Sequence, residues 1–201
     1  MGKLGGLILA AGLSSRMGDY KPLIDVDGRS MIGRVIDMMR NAGAETIVVV
    51  TGHRREELET HLRDDTVEFV FNPDYATTQQ LESLRLGLEA LSNRCEQVMI
   101  SPADVPLVHP ETVKALMELE GDFIRPLFDG APGHPVFLKA DWIPYIMSYE
   151  GPGGLKGAVE SNERMRLISL EVTDQGVVLD NDTKEDLERL FRWHKRNDQY
   201  V

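Results

Sequence analysis

Cysteine is nearly absent from this sequence: Cys95 is the only one among 201 residues. With no second thiol an internal disulfide is excluded. No group of Cys and His residues has the spacing of a zinc site either, so a reducing cytoplasmic setting is expected. An excess of positive charge is also missing. Lys and Arg number 22 against 33 Asp and Glu, a formal net charge of -11. That balance excludes a broad electrostatic hold on a nucleic acid backbone or an anionic membrane. An anionic ligand must instead be held locally, by a few placed cations, backbone N–H groups or a metal. No apolar run approaches the roughly 18 residues a membrane helix needs. The opening "MGKLGGLILAAG" reads as a first strand rather than a signal sequence, because its apolar run is brief and charged residues follow at once. No repeat, low-complexity tract or linker divides the chain, and its length fits a single domain over residues 1–201.

What is present is an alternation. Residues 5–11, 46–51, 67–71 and 97–101 are β-branched and apolar at successive positions, the pattern of strands covered on both faces. Helical stripes lie between them. Ser30 is placed to cap a helix bearing Ile32, Val35, Ile36 and Met39, which Ala42-Gly43 ends. Leu58 and Leu62 form a short stripe after Arg54. Leu81, Leu84, Leu88 and Leu91 form a longer one, and Pro110 suits the first turn of a helix with Val113, Leu116 and Met117. This order predicts βαβ units with right-handed crossovers and an α/β fold, its mainly parallel sheet sandwiched by helices, with ligands at the carboxyl ends of the strands. Beyond residue 121 the expected strands are shorter: "DFIRPL", "HPVFL", "RLISLEV" and "GVVL". "YEGPGGLKG" reads as a loop, and Thr183 as the cap of a last helix.

The segment after the first strand, within "LAAGLSSRMGDYKPL" (residues 9–23), collects the chemistry. Gly12 and Gly18 permit close backbone approach, Ser14 and Ser15 add hydroxyl donors, and Arg16 and Lys21 supply cations. Together they make a cradle for a polyphosphate. It is neither GxxxxGKS/T nor GxGxxG. Asp104 in "SPADVPL" stands just past another buried strand, where Pro106 turns the chain away. A carboxylate there suits Mg²⁺, which takes few carboxylates and completes its shell with phosphate oxygens. Asp182, beside the Thr183 cap, is the candidate second oxygen ligand, ahead of Asp180. Ser, Asp or His in such places also serve plain turns and caps.

The opening stretch resembles the LAAGxSxRMGxxK signature of the MobA-like nucleotidyltransferases, and its "AAG" form looks like the molybdenum cofactor cytidylyltransferase branch. "VVVTGHRREEL", "NPDYATT", "SLRLGL", "SPADVPLV", "GHPVFL" and "LDNDTKEDL" follow in the family's order, so the resemblance covers about residues 5–190. It implies a three-layer α/β/α sandwich with a Rossmann-like, mainly parallel but mixed sheet, of the nucleotide-diphospho-sugar transferase type. It also implies transfer of a nucleoside monophosphate to an acceptor phosphate with release of pyrophosphate. On that resemblance Leu9, Ala10, Ala11 and Gly12 lie against the base, Arg16 meets the β and γ phosphates, and Lys21 meets the α phosphate. Asn72 and Ser83 are binding candidates, and His134, Gly153 and Gly154 lie in regions that face the acceptor; the glycines of 151–157 would let that loop close over a large acceptor, or form a plain surface turn. The nucleotide would be CTP or GTP, the acceptor a molybdopterin form of the molybdenum cofactor, and a molybdoenzyme a candidate partner. Two departures stand out. "TTQQLES" replaces a Gly-Met-Ser stretch after "NPDYA", and the metal-site Asp has apolar neighbours in "ADVP". Two other readings remain open at this point: the same chemistry on a sugar or polyol phosphate, and a noncatalytic protein that binds and delivers the molybdenum cofactor.

Overall fold

The computed structural model describes residues 2–12 and 20–179. Its first half runs β1 (Leu4–Ala10), β2 (Asp25–Val26), β3 (Arg29–Ser30), α1 (Met31–Asn41), β4 (Ala44–Thr51), α2 (Arg55–His61), β5 (Glu68–Phe71), α3 (Gln80–Leu91), β6 (Gln97–Pro102) and α4 (Pro110–Met117). The second half adds β7 (Phe123–Phe128), β8 (Ala131–Pro132), β9 (Val136–Lys139), α5 (Ile143–Ser148), α6 (Gly154–Glu160) and β10 (Leu167–Glu171). The main sheet has the order β10, β7, β9, β6, β1, β4, β5, with β8 paired to β7. β1 is parallel to both β4 and β6, β4 is parallel to β5, and β7 is parallel to β10. β9 alone among these central strands runs antiparallel to its neighbours β6 and β7. The chain builds outward from β1 to β5, then returns to place β6 on the other side of β1. That reversal opens a crevice at the carboxyl ends of β1 and β6.

Successive residues of the strands enter different layers. Ile8, Ile47, Val49, Met99 and Phe137 pack with Ile32, Val35 and Ile36 of α1, Leu58 of α2 and Leu116 of α4. Their neighbours Leu7, Val48, Val50, Ile100 and Val136 pack on the opposite face with Leu84, Leu88 and Leu91 of α3, Ile146 of α5 and Val159 of α6. The doubly covered sheet expected from the unbroken apolar runs is therefore observed. The helix ends also follow the sequence. The Ser30 hydroxyl accepts from the Gly33 N–H at 3.2 Å, and Pro110 occupies the first turn of α4.

The structure corrects two expectations and adds elements that were not foreseen. "GVVL" is no strand: Gln175–Val178 form a 3-10 turn. Asp174 accepts from the Gly176 N–H at 2.8 Å, and Gly176 lies so close to Leu107 that a Cβ would fall 2.1 Å from its carbonyl oxygen. Extended backbone is incompatible with that turn. "YEGPGGLKG" is only half a loop, since α6 begins at Gly154. Gly153 and Gly154 have φ of 85° and 59°, the left-handed region, so the entry into the helix calls for glycine at both positions. The β2–β3 hairpin turns on Asp27 and Gly28, and the β7–β8 hairpin on Asp129 and Gly130, each pair with both φ positive. α5 was likewise not anticipated. The helix expected after Thr183 lies outside the described residues.

Asp174 ties this last turn to the rest. Besides Gly176, it accepts from the His109 N–H and the Thr112 hydroxyl at the start of α4, both at 2.8 Å. Asp174→Ala leaves these buried donors unpaired and is expected to lower the unfolding free energy by about 3 kcal/mol, measured by denaturant titration; an unchanged midpoint would show that α4 does not depend on it.

Candidate active site

The carboxyl end of β1 is held from three sides. The Ala103 N–H donates to the Leu9 carbonyl at 3.1 Å, the His53 N–H reaches the Ala11 carbonyl at 3.5 Å, and the Tyr20 hydroxyl donates to the Ala10 carbonyl at 3.3 Å. Segments following β1, β4 and β6 thus converge on Leu9, Ala10 and Ala11. Gly52 permits this, because a Cβ there would stand 2.6 Å from the Ala11 carbonyl oxygen. Tyr20 is buried, and burial pushes its phenol well above the usual range. The Arg54 guanidinium lies over its ring at 5.2 Å, and His53 meets it edge-on with Tyr75 on the other side. These aromatic and cationic walls escape motif reading, although "GHR" directly after a buried strand marks their place.

Lys21 follows Tyr20 and begins a 3-10 turn with Pro22. Its Nζ lies 3.8 Å from Asp104 Oδ2, with side-chain exposures of 7% and 24%. The predicted cation and the predicted metal ligand, far apart in the sequence, are thereby brought together. Among the described residues no three His, Cys, Asp or Glu side chains gather into a metal cage. One carboxylate suits a hard divalent ion that takes its other oxygens from phosphates and water. Gly12 is exposed, and a Cβ there would meet no described atom within 4 Å. Among the described residues no packing contact requires a glycine there. Ser14, Ser15 and Arg16 lie outside the described residues, as do Gly18, Asp180 and Asp182.

Asn72 and Ser83 are brought together, and their side chains face each other. The Asn72 amide donates to the Ser83 hydroxyl at 2.9 Å and to Thr78 at 3.2 Å, and its oxygen accepts from the Asp74 N–H at 3.0 Å. This pins residues 72–78 to α3. Beside β1 lies a cavity of about 400 Å³ lined by Leu9, His134, Gly153 and Gly154, with Gln79 and Gln80 from the "TTQQLES" stretch. The residues singled out as facing an acceptor therefore share one space, and Leu9 connects it with the crevice. His134 N–H donates to the Val177 carbonyl at 2.8 Å, and the His134–Pro135 peptide is cis. Its Nδ1 is buried with no hydrogen-bond partner among the described residues. Burial lowers the imidazole from its ordinary 6.5 to about 4, against a smaller upward pull from the Ile100 backbone. The ring is therefore neutral at pH 7.

The family model of the MobA-like NTP transferase domain matches residues 6–165. The chain belongs to that family. It is a nucleotidyltransferase, and the match takes in most of β1 together with Lys21, Asp104 and His134. It is similar to the molybdenum cofactor cytidylyltransferase of Escherichia coli, with 28% identity over 185 residues covering 90% of this chain and 91% of that protein. It is also similar to the bifunctional protein GlmU of Cutibacterium acnes, 36% identical over 121 residues, which are 56% of this chain but 28% of GlmU. Among solved structures, a nucleotidyl transferase from Methanothermobacter superposes with a TM-score of 0.81 at 21% identity, covering 97% of this chain and 99% of that one. Rv0371c of Mycobacterium tuberculosis, in complex with manganese, superposes with 0.77 at 23% identity, covering 94% and 98%. These structural likenesses are of fold. Among the described residues no helix is long and apolar enough to cross a membrane.

Two outcomes are expected of this MobA-like site. Gly12→Val should keep the unfolding midpoint, because its new side chain meets no described atom, while nucleotide affinity measured by titration calorimetry falls at least about tenfold; unchanged affinity would remove Gly12 from the binding surface. His134 contributes stability that is complete above pH 6.5 and lost as the pH falls through about 4, since its folded pKa is depressed. His134→Gln should therefore flatten the fall of unfolding free energy across that window by about 3 kcal/mol, and equal slopes for both proteins would contradict the buried neutral ring.

Proposed function

We propose that this transferase moves CMP from CTP onto the terminal phosphate of molybdopterin or the molybdenum cofactor, releasing pyrophosphate, with Mg²⁺ as the divalent ion. The observation that carries the chemistry is the enclosed Lys21 ammonium 3.8 Å from Asp104 at the reversal of strand order. The acceptor reading is supported by similarity to the Escherichia coli cytidylyltransferase along nearly the whole of both chains.

In this reading Leu9, Ala10, Ala11 and Gly12 leave space for the base, with Asn72 and Ser83 ordering the loop beside it. Ser14 and Ser15 donate to the polyphosphate, and Arg16 balances the β and γ phosphates. Lys21 faces the nonbridging oxygens of the α phosphate, where charge grows as the acceptor oxygen attacks in line. A new bond forms between that oxygen and the α phosphorus, and the bond from the α phosphorus to the bridging oxygen breaks, so pyrophosphate departs with its electron pair. No protein nucleophile is needed. Asp104, with Asp182, would hold Mg²⁺, which supplies positive charge to the triphosphate oxygens when bound. His134, Gly153 and Gly154 shape the space for the acceptor, and the product passes to a molybdoenzyme. The matched segment of GlmU supports a second reading, in which the acceptor is a sugar or polyol phosphate.

Lys21→Ala should lower turnover at least about 100-fold, the order seen when one transition-state donor is lost. The measurement is pyrophosphate release with CTP, Mg²⁺ and molybdopterin, and near-normal release would refute the role. Mass measurement of the product, repeated with GTP and with sugar phosphates, separates the acceptor readings.

A further inference from the structure

The cavity beside β1 differs in chemistry from the rest of the molecule. Its floor is apolar, formed by Leu9, Leu84, Ile100, Val136, Leu155 and Val159. In a chain of net charge -11, no Asp or Glu among the described residues lines it, whereas Arg125 and Lys156 do. Arg125 belongs to β7, next to β9, which is next to β6. Two strand spacings of about 4.8 Å put its backbone roughly 10 Å from β6, the strand that leads into Asp104. The register sets Ile100 opposite Val136 and Ile124 opposite Phe137, so Arg125 comes level with Val136 on the cavity face.

The Arg125 side chain is 17% exposed and held in place. Its Nε donates to the Ser169 hydroxyl at 3.1 Å and its Nη1 to Glu160 at 3.2 Å. Nη2 makes no further hydrogen bond among the described residues. A guanidinium fixed on one side and open on the other is prepared to donate to lone pairs at a set position. Lys156 is exposed at the same rim and brings a mobile second donor.

Resting on the acceptor reading above, we propose that this cavity selects a flat heterocyclic phosphate ester: the apolar floor packs against the ring, and Arg125 with Lys156 donates to the oxygen and nitrogen lone pairs at its far edge. Arg125 is then a specificity-determining residue for the acceptor, remote from the reacting phosphate. A polyol phosphate of similar length fits poorly. Its hydroxyls, about one per carbon, would lose water against aliphatic side chains without replacement hydrogen bonds. A volume of about 400 Å³ suits a body of bicyclic to tricyclic size.

The test uses the full chain and two probes, 6-hydroxymethylpterin phosphate followed by its own fluorescence, and ribitol 5-phosphate as competitor. The wild-type protein should quench the pterin and resist displacement by the polyol. Arg125→Met and Lys156→Met should each weaken pterin binding at least about tenfold while CTP affinity stays the same. Arg125→Lys should restore part of the loss. Because Lys156 is exposed, its variant reads out the rim even if loss of the Arg125 bridges disturbs folding. Equal binding of polyol and pterin, or pterin binding indifferent to both Met variants, overturns the proposal even if molybdopterin supports pyrophosphate release. Pterin binding that depends on Arg125 and Lys156 sustains it even if molybdopterin proves not to be the acceptor.

Discussion

The candidate site depends on the immobility of β1. Its backbone is paired in parallel on both sides, to β4 over Leu4–Ala10 and to β6 over Leu4–Leu9. Its side chains are divided between two separate apolar clusters, Ile8 and Ala10 in one and Leu7, followed by Ala11 just past the strand, in the other. A strand fixed by both edges and both faces has no low-energy way to shift its end. Lys21 inherits that rigidity through the Tyr20 hydroxyl on Ala10, and Asp104 through the Ala103 N–H on Leu9. The two charges thus hold their separation before any ligand arrives, and electrostatic stabilisation is most effective when the groups need not reorganise.

Much of this was legible because strand burial leaves a plain mark. Apolar residues at successive positions can be satisfied only by cover on two faces, so "TIVVVT" and "QVMIS" announced the sandwich. Ser30, Gly43 and Pro110 marked helix ends through chemistry confined to a turn. The crevice was legible for the same reason: Gly12 and Asp104 stand two residues past the ends of β1 and β6, and Lys21 ends the polar stretch that follows β1. Where the reading failed, tertiary contact outweighed local pattern. "GVVL" has strand composition, yet Asp174 and the Leu107 carbonyl impose a tight turn on it. The glycines of "GPGGLKG" suggested a loop, yet Gly157 approaches Pro152 so closely that a Cβ would fall 1.9 Å from its carbonyl oxygen, a packing requirement invisible in composition. The two Asp-Gly turns did carry a local signal in their dipeptides. The pairing of Asn72 with Ser83 carried none, since it joins residues 11 apart across a loop and a helix.

Charge is distributed against the overall balance. The molecule is acidic, yet Arg125 and Lys156 line the cavity and no Asp or Glu does among the described residues, while Lys21 at the crevice is balanced by Asp104. The remaining acidity repels polyanions from the general surface, so an anionic substrate gains attraction only after reaching the strand ends. That distribution suits the small phosphorylated substrate of the proposed function better than a nucleic acid.

One reversed strand has a consequence for how the chain tolerates change. Loops that follow parallel strands reach the reactive edge, and those that lead into them lie at the opposite edge. β9 inverts the rule, so "GHP" reaches the reactive edge by preceding its strand, and the whole run from the end of β7 through the Asp129-Gly130 turn to Pro135 lies there without leaving it. Gains or losses of length within residues 128–135 therefore alter the shape of the reactive edge directly, while the links from helix into β4, β5 and β6 can vary in length at a distance from it.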